Sequence, residues 1–213
     1  MKDIISIFKN VGAIVTDSHF VGTSGRHMPT YLNKDVLAPH TTQASLVGKM
    51  FANKFKHKNI EVVVAPAVGG IFLSQWTTYH LSKASKRNVS SVFTEKTPNK
   101  DQIFKREYDK IVKNKRVLIV DDIATVGSSL KKLVPSVKKA GGTVIAACVM
   151  INRDPVAVNT KSIGVPFSSL GVLKIPSYEE KKCPLCKAGI PVNTSLGHGK
   201  KFLENLKAKN KRS

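Results

Sequence analysis

Two aspartates, Asp121 and Asp122, follow the apolar run Val117, Leu118, Ile119 and Val120. After Ile123 come the small residues Ala124, Thr125, Val126, Gly127, Ser128 and Ser129. A buried strand ending in adjacent carboxylates can present acceptors to a vicinal diol, because an ionised carboxylate accepts several hydrogen bonds from hydroxyls. Small side chains, hydroxyl donors and backbone N–H groups at the start of a helix suit a phosphate monoester. Diol and phosphate within one segment describe a ribose 5-phosphate. Paired aspartates after a strand also act as helix caps, but capping alone does not call for the hydroxyl-bearing loop that comes next. The Gly-Lys-Ser/Thr signature of a nucleoside triphosphate loop is missing, which sets that class aside.

These residues need a scaffold that brings strand ends together. Thr41 to Phe55 places Leu46, Val47, Met50, Phe51 and Phe55 on one helical face after Pro39, which predicts an amphipathic helix. Glu61 to Ala65 reads as a strand through Val62, Val63 and Val64. It ends in Pro66-Ala67-Val68-Gly69-Gly70 and leads into a second helix through about His80. Val89 to Phe93 is a third strand, and Thr94 to Gln102, polar and bearing Pro98 and Asn99, has the composition of a mobile loop. Arg116 to Val120 reads as a buried parallel strand. Leu130, Leu133, Val134 and Val137 recur at helical spacing, with a kink expected at Pro135 and a stop at Gly141-Gly142. Thr143 to Ile151 is the next strand. Such alternation predicts an α/β fold with a mainly parallel central sheet flanked by helices, in which ligands gather at the carboxyl ends of the strands. The loops after Ala65, Val120 and Ile151 should converge there. The tail from Gly199 to Ser213, with Phe202, Leu203 and Leu206, reads as a helix fraying into a charged end.

Composition bounds the function classes. With 213 residues, 41% hydrophobic and 23% charged, the chain resembles ordinary globular proteins, and neither a membrane protein nor a disordered chain is favoured. No apolar run is long enough to span a bilayer. Lys9 and Asn10 interrupt the N-terminal segment and no small-residue cleavage site follows, which makes the cytoplasm the expected location. The formal net charge of +21 is the outlier. It admits weak RNA binding or the steering of an anionic substrate. Because the lysines are spread along the chain without interleaved aromatics, a diffuse solvated surface is the preferred reading.

The segment VLIVDDIATVGSS resembles the 5-phosphoribosyl-1-pyrophosphate (PRPP) motif of type I phosphoribosyltransferases. The resemblance is nearest to the orotate-specific members. Thr23-Ser24-Gly25-Arg26-His27, with Pro29 and Tyr31, is similar to their TSG segment, Ala65 to Gly70 to their pyrophosphate loop, and Arg153 to the arginine that pairs with the orotate carboxylate. It implies one phosphoribosyltransferase domain over residues 1–213, with a small N-terminal hood at 1–38, a PRPP-binding core at 39–175 and a C-terminal extension at 176–213. It further implies that Asp121 and Asp122 hold the ribose diol and that Ile123 to Ser129 surround the 5-phosphate. Val68, Gly69 and Gly70 would offer backbone N–H groups to pyrophosphate, Lys96 would neutralise the leaving group, and Tyr31, Thr125 and Arg153 would contact the base.

Magnesium is the implied cofactor, chelated by substrate oxygens without a direct protein ligand. A homodimer is the implied assembly. The implied reaction transfers the phosphoribosyl group of PRPP to orotate. Where the family commonly carries lysines, Gly69 and Thr23 stand here, and Glu95 precedes Lys96 in place of an arginine. Lys105 and Arg106 are the nearest substitutes. The thinned cations motivate two alternatives: a phosphoribosyltransferase for a purine or other base, and a PRPP-sensing regulator that binds RNA.

Cys183-Pro184-Leu185-Cys186 stands apart from this chemistry. Two thiolates at this spacing make half of a tetrahedral zinc site. His198 offers a third ligand and no fourth is evident nearby, so a thiol-bearing turn is the preferred reading.

Overall fold

The structure, a computed structural model, describes residues 3–210. They gather into two compact units. One joins the N-terminal residues through Ile7 to Lys34–Leu173, and the other comprises Phe8–Asn33 with the chain from Lys174 onward.

The larger unit is built on a six-stranded sheet. In chain order its elements are α1 (Thr41–Phe55), β1 (Val62–Pro66), α2 (Ile71–Ser85), β2 (Ser90–Lys96), β3 (Gln102–Ile103), α3 (Tyr108–Val112), β4 (Arg116–Ala124), α4 (Ser128–Lys139), β5 (Thr143–Asn152), α5 (Thr160–Ile163) and β6 (Phe167–Val172). The strand order is β6–β5–β4–β1–β2–β3. All neighbours are parallel except β2 and β3. The register aligns Val64 with Ile119, Ile119 with Ala147, and Ala147 with Phe167.

Valine-rich runs form these strands because branched side chains suit a pleated surface covered on both faces. On one face Val62, Val64, Val117, Ile119 and Val149 pack with Leu130, Leu133, Val134 and Val137 of α4. Burying each such side chain contributes about 1.5–3 kcal/mol, so the helix that opens the phosphate loop is held by its whole apolar stripe. Gly48 of α1 lets Trp76 of α2 approach closely, since a Cβ there would overlap the Trp76 side chain.

This connectivity has one consequence for binding. From β1 the chain moves to β2 on one side, and later returns to lay β4 on the other. The loops after β1 and β4 therefore diverge and leave a crevice at the carboxyl ends, the topological switch point where open α/β sheets bind ligands.

Three local expectations change. Thr94 to Gln102 is a β-hairpin rather than irregular loop: β2 runs on through Lys96, and Thr97 N–H donates to Asp101 O at 2.9 Å. The buried Thr94 hydroxyl donates to Gln102 Oε1 at 2.7 Å, so two polar residues that read as solvated are buried and bond to each other instead. Helix α4 continues through Pro135, where the Ser136 hydroxyl donates to Lys132 O at 3.0 Å and to Gln102 O at 2.5 Å. Strand β6 was not anticipated, because FSSLGV is half-buried up to Gly171, exposed at Val172, and shows no alternation.

In the smaller unit, Ile14–Val15 pairs antiparallel with Tyr31–Leu32, and Phe20–Val21 with His27–Met28. Thr23, Ser24 and Gly25 form the turn of the second hairpin, closed by Gly22 N–H to Arg26 O at 2.9 Å. Gly25 takes φ +76°, a left-handed conformation that glycine adopts without strain. Bridges from His19 to Val192 and from His27 to Tyr178 tie this hairpin to the C-terminal segment. The last helix is Gly199–Asn210, and residues 211–213 of the expected fraying end lie outside the described residues.

Candidate active site

Strand β4 carries the two aspartates to the crevice in different surroundings. Asp121 is buried, and its Oδ1 accepts the Asp122 N–H at 2.8 Å. Burial, with the neighbouring Asp122 charge second, pushes its carboxyl well above the usual range. Asp122 Oδ1 accepts the Ile123 N–H at 2.6 Å, and its Oδ2 lies 2.5 Å from Lys34 Nζ. Lys34 opens a 3₁₀ turn, Lys34–Leu37, and also reaches Asp35 at 3.3 Å. Burial alone would lower the Lys34 amine, but the charge and hydrogen bond of Asp122, aided by Asp35, outweigh it and hold the amine above its ordinary value.

Beyond β4 the chain turns into α4 through Thr125, Val126 and Gly127. Gly127 is the N-cap at φ +70°, and no side chain caps the helix. An added Cβ would lie 2.8 Å from Ile163 Cδ1, so the tight turn requires glycine. The uncapped N–H groups face a hollow of about 100 Å³ lined by Asp121 and residues 123–130. Its size, hydroxyl walls and helix terminus suit one phosphate.

On the opposite wall, the turn after β1 brings up Val68, Gly69 and Gly70. The Ala67–Val68 peptide is cis, Ala67 N–H donates to Thr94 O at 2.7 Å, and Val68 is 83% exposed. Backbone crowding requires glycine at position 70, and at 69 a side chain would displace two charged groups. A Cβ on Gly70 would lie 2.7 Å from Pro66 O, and one on Gly69 would lie 2.5 Å from Asp122 Oδ2 and 2.7 Å from Lys34 Nζ. Thus the ammonium of Lys34 occupies the ground beside Gly69.

Lys96 ends β2, is exposed, and makes no ion pair among the described residues. It is near enough for its charge to act favourably on Asp121. Lys105 and Arg106, the expected substitute cations, are both held by Glu95, Lys105 at 3.0 Å. The Arg106 hydrogen bond, then that of Lys105, draws the Glu95 carboxyl below its ordinary value. Arg153 follows β5 and donates its backbone N–H to Ala124 O at 2.8 Å, which sets it beside Thr125; burial lowers its guanidinium. Tyr31 lies in the smaller unit, packed on Phe20 with ring centroids 5.5 Å apart.

A larger hollow of about 670 Å³ takes its walls from the β2–β3 hairpin and the middle and end of α4. Lys132 and Asp101 form an ion pair there. It lacks the helix terminus and paired carboxylates of the crevice.

The phosphoribosyl transferase domain model matches residues 35–162, which include both turns, Asp121, Asp122 and Lys96. The chain belongs to the phosphoribosyl transferase domain family. An orotate phosphoribosyltransferase of Caldanaerobacter subterraneus subsp. tengcongensis is 33% identical over 191 residues, covering 90% of this chain and 94% of that one. One from Thermus thermophilus is 30% identical over 190 residues, covering 89% and 98%. Among solved structures, the Mycobacterium tuberculosis orotate phosphoribosyltransferase in complex with inorganic phosphate superposes with a TM-score of 0.64 at 20% identity, covering 80% of this chain and 96% of that one. The six-stranded, mainly parallel sheet of this phosphoribosyltransferase is thus the fold of its solved relatives.

The sequence did not single out Lys34. Nothing marks it among 35 lysines and arginines, because its partner Asp122 becomes its neighbour only when β4 enters the sheet. The one signal was indirect: a polyanion loop with glycine where the family resemblance calls for lysine needs a cation from elsewhere.

Proposed function

We propose that the protein transfers the phosphoribosyl group of PRPP to orotate, releasing pyrophosphate and forming orotidine 5′-phosphate. One observation carries the PRPP half: a carboxylate pair at the end of β4 and an uncapped helix N-terminus flank one loop at the switch point of the sheet. The orotate half is supported by relatives of that activity, 33% and 30% identical over most of the chain.

In this reading, Asp121 and Asp122 accept the ribose hydroxyls and Thr125 to Ser129 hold the 5-phosphate. Backbone N–H groups of Val68, Gly69 and Gly70 meet pyrophosphate. A ring nitrogen of orotate bonds to the anomeric carbon as the bond from that carbon to the pyrophosphate oxygen breaks, with inversion and oxocarbenium character. The base is already anionic, so orientation and charge neutralisation supply the catalysis. Lys34 and Lys96 neutralise the leaving group, and Lys34 stands in for the side chain that Gly69 lacks. Arg153 meets the orotate carboxylate with its planar fork.

Magnesium would add Lewis-acid neutralisation of the leaving phosphates. It prefers oxygen ligands and keeps several waters. Asp122 already has one oxygen on Ile123 N–H and the other on Lys34. An ion carried by substrate oxygens, with no direct protein ligand, would fit this arrangement.

No helix among the described residues is long and apolar enough to cross a membrane. A cytoplasmic homodimer is part of the proposal, and its assembly is checked by sedimentation. The function is tested with purified protein, magnesium and PRPP against a panel of bases, following pyrophosphate release. Orotate should be consumed in preference to purines. Consumption of a purine alone would move the assignment to another base, and salt-sensitive RNA binding without turnover of any base would replace the enzyme by a regulator.

A further inference from the structure

Four metal-ligating side chains meet inside the smaller unit, at positions outside the family match at 35–162. His19 precedes the strand Phe20–Val21 and His27 begins its partner, so the two flank the TSG turn. Cys183 and Cys186 bracket the first turn of the short helix Pro184–Lys187. His19 Nε2 lies 2.7 Å from His27 Nδ1, 3.8 Å from Cys183 Sγ and 3.8 Å from Cys186 Sγ. His27 Nδ1 lies 3.3 Å from Cys186 Sγ, and all four ligand atoms fall within 4.8 Å of one another.

Zinc bonds to nitrogen at about 2.0–2.1 Å and to sulfur at about 2.3 Å. A tetrahedron of those bonds has edges of about 3.3 Å between nitrogens, 3.6 Å from nitrogen to sulfur and 3.8 Å between sulfurs. The observed separations straddle these edges, with the two nitrogens drawn together. We propose that His19 Nε2, His27 Nδ1, Cys183 Sγ and Cys186 Sγ hold one structural zinc ion.

A second observation fixes which His19 nitrogen is free to ligate. His19 Nδ1 lies 2.8 Å from Ile190 O. A carbonyl only accepts, so Nδ1 carries the proton and Nε2 presents its lone pair, the orientation that a ligating histidine takes from such a partner. That lone pair faces His27 Nδ1 between two rings only 1% and 0% exposed. Buried polar atoms so close need a proton or a cation between them. Two sulfurs complete the set, which selects zinc over hard cations that require oxygen. Cys186 is exposed and marks the side of entry.

Four protein ligands leave no open coordination position, so the ion is structural rather than catalytic. It would staple the N-terminal hairpin to the C-terminal segment, adding to the isolated bridges and hydrogen bonds through which they meet. The same geometry corrects the sequence reading of this site. His198 is not a ligand: its Nε2 lies 3.1 Å from Thr23 Oγ1, and its backbone N–H donates to Val21 O at 2.8 Å. The two true histidines lie far from the cysteines in the chain, so no local spacing could reveal them.

The test uses the full chain without a metal-binding tag. After exhaustive dialysis, metal analysis should find about one zinc per chain. The Cys183→Ser, Cys186→Ser double variant should hold less than about a tenth of that, and His198→Ala the full amount. Because the double variant can fail to fold, the wild-type chain is also stripped with a chelator and loaded with cobalt. Tetrahedral thiolate ligation should appear as a sulfur-to-cobalt charge-transfer band together with intense visible absorption. Metal-free wild-type protein, a Cys183–Cys186 disulfide, or loaded cobalt without the thiolate band would overturn the proposal. So would loss of zinc in His198→Ala.

Discussion

Asp121 and Asp122 are adjacent in sequence, yet burial raises the pKa of one and Lys34 neutralises the other. A carboxyl whose folded pKa is raised above its unfolded value of about 3.9 contributes most to stability below that pH, and progressively less as pH rises through the folded value. Its ionised form is therefore a burden on the fold. In Asp121→Asn the burden is removed with little change of shape. PRPP affinity should fall about tenfold to a hundredfold, the scale of one charge-assisted hydrogen bond. The melting temperature should equal or exceed that of the wild type, by a margin that widens from about pH 4 upward. Calorimetry across pH beside PRPP titration checks both, and a variant that binds normally would remove Asp121 from the site.

Lys34 carries the complementary prediction. Its raised pKa keeps it charged throughout the neutral range, and its contribution is lost only as pH rises through that folded value. Lys34→Ala strands the Asp122 charge beside Asp121 and deprives the leaving group of a cation. Steady-state kinetics should show kcat/KM for PRPP down by about tenfold to a hundredfold. Unchanged kcat/KM in a folded variant would confine Lys34 to an architectural role.

At the scale of elements, the β2–β3 hairpin decides how much positive charge reaches the crevice. Glu95 holds Lys105 and Arg106, leaving Lys96 at the strand end. Glu95→Gln should release both cations. The groups are solvent-facing, so the effect is modest and screened: KM for PRPP should fall about twofold to fivefold at low ionic strength and converge with the wild type at high salt. A KM that rises would mean that Glu95 serves mainly to hold the hairpin in shape.

The elements that were legible in sequence are those whose burial is two-sided or strictly periodic. Helix α1 was readable from Leu46, Val47, Met50, Phe51 and Phe55, and β1 and β4 from their valine-rich runs, because apolar pattern and environment agree there. The hairpin was not, since Thr94 and Gln102 are buried by bonding to each other rather than by being apolar. Strand β6 was hidden by Ser168, Ser169 and Gly171, which are tolerated at an edge position beside β5. In the site, the residues of one contiguous segment, Asp121 to Ser129, were readable together. Lys34, His19 and His27 owe their positions to strands and segments far away in the chain, and only the fold joins them.

For the molecule as a whole, 35 lysines and arginines stand against 14 acidic residues. Among the carboxylates, Asp122 is matched by Lys34, Glu95 by Lys105 and Arg106, Glu61 by Lys115, and Asp101 by Lys132. Pairing thus uses up much of the negative charge and leaves a broad positive excess. PRPP carries its charge on a 5-phosphate and a pyrophosphate, so if the excess does more than solvate the surface, it would act on the encounter before any contact forms. Steering of this kind changes association and leaves the chemical step alone, because exposed charges beyond about 10 Å are screened at 0.1 M salt while contacts in the crevice are not. At fixed free magnesium, raising salt from about 0.01 M to 0.3 M should therefore lower kcat/KM for PRPP by about tenfold while kcat stays nearly constant. Stopped-flow binding should assign the loss to the association rate. If kcat fell in parallel, the salt would be acting inside the site, and the +21 charge would be left with no part in substrate capture.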